Sequence, residues 1–204
     1  MNRFFDADSS FSLFLGRVSD IVFLNVLTLI CCLPVVTIGA AVTALYDTVG
    51  RMQMDEGGLY AGYFRAFAQN FKQSTVMWVL FLIVAGSMVY NFTLGAMLPV
   101  LVGALALVVF VVILSWALPM LATFRMSNKV ILRNTVLCAL GYLPRTLAMA
   151  VLNLLPWAVL ILSPYWFMRA GVLWACIYFA LAVYLDLLLL KKPFAKLAES
   201  QEEE

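Results

Sequence analysis

The sequence predicts an all-α, polytopic transmembrane helix bundle of about five spans, and three observations carry that prediction. Between Lys72 and Arg125 lie 52 residues without one Asp, Glu, Lys or Arg. A bilayer core about 30 Å thick takes roughly 20 apolar residues of helix to cross, so this run holds two crossings and a short turn. Hydrophobic residues make up 65% of the 204-residue chain and charged residues 12%, against roughly 45–50% and about 25% in soluble domains. The apolar residues also come in blocks rather than alternating in strands of about ten, which argues against a β-barrel. One integral membrane domain, residues 1–204, accounts for the whole length.

The spans follow in order. Ile21–Tyr46 is 26 uncharged residues between Asp20 and Asp47, and predicts a span over 21–44. Pro34 and Gly39 interrupt it, and proline cannot donate its helix hydrogen bond. A single kinked span is the cheaper reading, because a pair of half-helices that dips in and returns exposes non-helical backbone that needs shelter from lipid. Spans at 75–93 and 97–121 flank a turn marked by Asn91-Phe-Thr-Leu-Gly95 and Leu98-Pro99. The uncharged run Thr146–Met168 predicts a span over 147–163, and Ala170 to Leu190, broken only by Asp186, predicts one over 170–190. A short polar tail, 191–204, closes the chain. The mixed charges before Ile21 and the length of the first run do not suit a cleaved signal peptide.

Basic residues set the orientation. Arg51, Arg65 and Lys72 lie in the segment 45–74, Arg125, Lys129, Arg133 and Arg145 in 122–146, and Lys191, Lys192 and Lys196 in the tail. That is ten, against one, Arg169, in the turns at 91–98 and 164–169. Both long loops and the C-terminus are therefore expected in the cytoplasm. Five spans place residues 1–20, with Arg3, Asp6, Asp8 and Arg17, outside; the half-helix alternative places them inside.

Little in the chain can do covalent chemistry. There is no histidine, which removes His-dependent triads, His-containing metal sites and haem held by His. Cys31, Cys32, Cys138 and Cys176 form no CxxC pair and lie in or near apolar segments, where cysteine behaves as a small hydrophobe. No phosphate-binding glycine motif is present. No enzyme activity, cofactor or metal is expected, and a net charge of +2 gives no sign of a nucleic-acid partner. Asp186 is the one acid inside a predicted span. It precedes Lys191 by five positions, roughly 7 Å of helix rise, and is expected to pair toward the lysines or sit in the headgroup layer. Intramembrane acids otherwise mark ion or substrate paths, and Asn25, Asn153 and Asp186 together form the candidate intramembrane polar site. Thr28 and Ser115 read as helix-packing groups, as do the small residues Gly39-Ala40-Ala41 with Thr43-Ala44.

After the breaker Gly57-Gly58, Tyr60, Tyr63, Phe64, Phe67 and Phe71 recur at helical spacing, with Arg65, Gln69 and Lys72 off that face. This predicts an aromatic amphipathic helix lying in the membrane interface, which either anchors the next span or docks a partner. The segment 123–146 repeats the theme less cleanly.

Leu33-Pro-Val-Val-Thr-Ile-Gly-Ala-Ala-Val-Thr-Ala-Leu-Tyr46 followed by Tyr63-Phe-Arg-Ala-Phe-Ala-Gln-Asn-Phe-Lys-Gln-Ser74 resembles the YesL-like bacterial membrane proteins, a domain family of unknown function. Asn25 and Tyr142-Leu-Pro-Arg-Thr146 also fit. Pro34, Thr37, Gly39, Tyr46 and Asn70 are the motif positions. The resemblance implies a multi-pass protein of a bacterial plasma membrane, encoded near carbohydrate uptake and breakdown systems, and brings no catalytic residues. Two functions then stand: an accessory or scaffold component beside a carbohydrate transporter subunit, or a small homo-oligomeric carrier or channel for a small solute. In both, the lipid bilayer is the first partner.

Overall fold

A computed structural model of the chain describes residues 10–95, 97–124 and 126–202; Arg3, Asp6, Asp8 and Arg125 of the charge pattern lie outside the described residues. Every regular element among these residues is helical: α1 (Ser10–Cys31), a 3₁₀ turn (Val35–Thr37), α2 (Ile38–Gln53), α3 (Leu59–Thr93), α4 (Met97–Thr123), α5 (Asn128–Gly141), α6 (Leu143–Leu162), α7 (Pro164–Arg169) and α8 (Gly171–Leu173), which passes through a π turn (Trp174–Tyr178) into α9 (Phe179–Glu202). Among them α3, α4 and α6 are long and apolar enough to cross a membrane. The molecule is an all-α membrane protein.

The first predicted span is two helices, not one. α1 ends where Pro34 removes a donor, and the orphan carbonyls are met locally. The Thr37 hydroxyl sits 2.6 Å from the Cys31 carbonyl and 2.7 Å from that of Pro34, so its single proton serves one at a time. The chain then folds back. Arg17, near the start of α1, bonds Asp55 at 2.9 Å, and the Tyr60 hydroxyl donates to Asp20 at 3.1 Å. The beginning of α1 therefore lies beside the α2–α3 connection, and α1 and α2 are an antiparallel hairpin. The half-helix alternative describes this geometry; the kinked span does not. The hairpin tip is held by Trp78, whose indole donates to the Val35 carbonyl at 2.8 Å, which supplies the shelter that irregular backbone requires.

α2 is the centre of the bundle. Ten of its sixteen residues are buried, on all sides, by α1, α3, α4 and α9. It runs antiparallel to α3: Gly39 meets Ser74 and Trp78, and at the other end Arg51 covers Gly62. A β-carbon on Gly39 would lie 2.6 Å from the Ser74 carbonyl oxygen and 2.7 Å from the Trp78 Cβ, so only glycine permits this approach. The Thr43 and Thr48 hydroxyls donate back to the Gly39 and Ala44 carbonyls, which hides their polarity inside the helix itself.

The aromatic segment after Gly58 is not a separate interfacial helix. Gly58 adopts φ +74°, and α3 then runs unbroken from Leu59 to Thr93, about 52 Å at 1.5 Å per residue. Charged residues at 65 and 72 mark a change of surroundings, but they do not break a backbone ladder, and Ser74 simply donates to the Asn70 carbonyl one turn back at 2.7 Å. α3 pairs antiparallel with α4: Phe81 meets Phe110, and Met88 lies against Gly103. Both helices have a buried half and an exposed apolar half. Tyr63, Ala66, Trp116, Ala117 and Met120 are buried, whereas Ile83, Val89, Leu98, Leu101 and Leu105 are more than half exposed. A continuous exposed apolar surface of this kind suits lipid.

α5 is the amphipathic helix expected in 123–146. Ile131, Thr135, Cys138 and Ala139 face the bundle, while Lys129, Arg133 and Leu137 face out. Thr146 locks it: the Trp116 indole donates to its hydroxyl at 3.0 Å, and that hydroxyl lies 3.0 Å from the Ala139 carbonyl. One side chain thus ties α4, α5 and α6 together.

Candidate functional site

A cluster of interior polar side chains from three different helices lies where α2, α6 and α9 meet. Asp186 is fully buried. Its Oδ2 accepts two hydrogen bonds, from the Tyr46 hydroxyl at 2.7 Å and from Asn153 Nδ2 at 3.1 Å. Its Oδ1 is buried and has no hydrogen-bond partner. Gln53, two turns beyond Tyr46 on the same face of α2, donates to the Tyr184 carbonyl at 3.0 Å. Two polar rungs thereby hold α2 against α9. On α6, Asn153 also donates to the Met149 carbonyl at 2.9 Å, so both its amide protons are used.

The expected pairing of Asp186 toward the lysines does not occur: Lys191 and Lys192 are exposed, and Asp186 is interior. Five residues along an α-helix turn through about 140°, which puts Lys191 on a different face. Neighbours on one face stand three or four apart; here those are Leu189 and Leu190.

Asn153 and Asp186 meet, but Asn25 does a different job. It is fully buried, and its Oδ1 accepts from the Ala180 backbone N–H at 2.8 Å while its Nδ2 reaches the Trp174 carbonyl at 3.4 Å. These two backbone groups flank the π turn. A π segment displaces the regular helix bonds, and such bulges persist where a side chain satisfies the freed groups. Tyr178 in the same turn donates to the Leu152 carbonyl at 2.6 Å, fastening the π turn to α6. Thr28 and Ser115 donate to carbonyls of their own helices, Leu24 and Val111.

The aromatic row divides. Tyr63 is fully buried and its hydroxyl donates to the Ala41 carbonyl at 3.2 Å, with Phe67 half-buried beside it. Tyr60 packs on Phe23 of α1, with ring centroids 4.4 Å apart, whereas Phe64 and Phe71 point outward with Arg65 and Lys72. α3 thus commits one face to α2 and leaves an aromatic and basic face open. Of the motif positions, Pro34 and Thr37 build the hairpin tip, Gly39 the α2–α3 approach, and Asn70 donates to the Ala66 carbonyl at 3.2 Å. Tyr46, singled out in the sequence only as a motif position, is the strongest donor to Asp186. Among the described residues no group of His, Cys, Asp or Glu could hold a metal ion.

Residues 21–92 match a family model described as a protein of unknown function, DUF624, which is the YesL-like family. The matched segment holds Asn25, all five motif positions and the aromatic row, so the resemblance drawn from those residues is confirmed. No curated protein and no solved structure matches the chain.

Proposed function

We propose that this DUF624 protein is a non-enzymatic accessory subunit in a bacterial plasma membrane, working beside a carbohydrate transporter, with its basic loops and C-terminus in the cytoplasm. The observation that carries the reading is the division of α3. One face is consumed by α2, and the other presents Phe64 and Phe71 with Arg65 and Lys72. An open helix face with aromatic anchors and flanking charge is the form that helix-in-groove docking takes. The carbohydrate part of the reading rests on the family resemblance, and the orientation on the ten-to-one bias of basic residues. The test is purification from the native membrane in mild detergent, with mass spectrometry of what co-purifies. A carbohydrate-transporter membrane subunit that is retained by wild type and lost from Phe64→Asp supports the reading, since Phe64 is exposed and the change spares the core. Purification without any transporter component overturns it.

A second reading, a small homo-oligomeric carrier, is favoured by the buried carboxyl of Asp186, because intramembrane acids often serve solute or ion paths. Its test is flux in liposomes: solute movement by the purified protein, abolished by Asp186→Asn, would establish it.

A further inference from the structure

We propose that the junction of α2, α6 and α9 is a proton-binding site in which Asp186 carries a proton on Oδ1. Oδ2 accepts two neutral donors, Tyr46 and Asn153. A carbonyl oxygen has two lone pairs, and two donors fill them. Oδ1 is buried and receives nothing. That asymmetry favours a carboxylic acid: the carbonyl oxygen takes both donors, and the unpartnered Oδ1 is a neutral hydroxyl, less costly to leave unpaired than a charged oxygen. A carboxylate would present two equivalent oxygens, each demanding donors.

Among the described residues no counter-charge faces it. α2 presents Tyr46 and α6 presents Asn153. The π turn presents Tyr178, already bonded to Leu152. α1 contributes Asn25, engaged with the backbone at Ala180. On α9 itself Lys191 and Lys192 are exposed. The ion pairs among the described residues are Arg17–Asp55 and Arg51–Asp47, both elsewhere. An unpaired buried charge is far costlier than a neutral acid. The proton therefore keeps three helices packed around an uncharged centre, and its loss places a bare charge against α2. Neither reading of the protein's function is needed for this site.

The test is infrared spectroscopy of the full chain in lipid vesicles at neutral pH, unlabelled and with ¹³C-labelled aspartate. Exposed carboxyls are ionised under these conditions, so the C=O stretch of an un-ionised acid reports a buried one. The expected result is such a band that moves with aspartate labelling, is absent from Asp186→Asn, and is indifferent to sodium. Should Asp186→Asn fail to fold, Tyr46→Phe serves: removing one donor from Oδ2 should raise the band's frequency. No acid band in the wild type, or a band unmoved in Tyr46→Phe, overturns the proposal. A band lost on adding sodium also overturns it, in favour of a cation site.

Discussion

Alanine at Gly39 and alanine at Gly86 should move stability in opposite directions, although both are glycines inside helices. In an exposed helix interior the exchange is favourable by about 0.8–1.0 kcal/mol. Gly86, in α3, has nothing within 4 Å of an added β-carbon, so that gain should be realised. At Gly39 the added carbon would sit 2.6 Å from the Ser74 carbonyl oxygen and 2.7 Å from the Trp78 Cβ. Neither can swing aside, since one is backbone and the other is fixed to it. Overpacking costs about 1–3 kcal/mol, and an immovable neighbour puts Gly39 at the upper end. Subtracting the helix gain leaves a net loss of about 2 kcal/mol. For chains of this length 1 kcal/mol shifts the melting midpoint by about 2–4 °C. Gly39→Ala should then fall by about 4–8 °C and Gly86→Ala rise by about 2–4 °C. The measurement is the fraction of detergent-solubilised protein still eluting as a single size-exclusion peak after heating. Equal midpoints, or Gly39→Ala the more stable, would refute the account of the α2–α3 approach.

Other expectations follow from single contacts. Asn25→Leu strands the Ala180 N–H and the Trp174 carbonyl, each worth about 1–3 kcal/mol when buried and unpaired; the midpoint should fall by several degrees in the same heating assay, and an unchanged midpoint would show that the π turn does not need Asn25. Thr146→Val removes the acceptor of the Trp116 indole, with a loss of about 1–3 kcal/mol, and protease cutting near α5 should speed up relative to wild type. In a cysteine-free background, Arg17→Cys and Lys129→Cys should both resist a membrane-impermeant reagent in intact cells, whereas Leu94→Cys and Trp166→Cys should label. Labelling at 17 would contradict the α1–α2 hairpin.

The long uncharged run was legible because lipid exposure is a matter of composition, and composition is read directly from the chain. What followed Pro34 was not. Proline announces a break, but whether the chain continues or folds back is decided by Arg17 with Asp55 and Trp78 with Val35, partners about forty residues apart. The continuity of α3 was obscured for a related reason. Arg65 and Lys72 suggested a boundary between an interfacial helix and a span, yet helix bonds are local and nothing between Leu59 and Thr93 breaks them. Asp186 stands out in the sequence as the acid of an apolar run, but axial distance to Lys191 does not decide what it meets. The angle around the helix, which decides the face, pointed to leucines on its own helix and, across the bundle, to Tyr46 and Asn153.

The motif positions make more sense as one mechanical unit than as separate marks. Pro34 and Thr37 turn the chain, Gly39 brings α2 against α3, and Tyr46 lies seven residues, two helical turns, beyond Gly39. On one rigid helix the depth set at Gly39 sets the reach of the Tyr46 hydroxyl to Asp186, now 2.7 Å. Pushing α2 away from α3 by even a few tenths of an ångström should alter that bond, since hydrogen-bond strength depends steeply on geometry. Gly39→Ala is therefore expected to shift the C=O band of Asp186 although it lies two turns from Tyr46 and touches none of the site's residues. Gly86→Ala, on α3 and away from α2, should leave the band where it is. A band unmoved in Gly39→Ala, in protein that still folds, would mean that the motif shapes the bundle without setting the polar site.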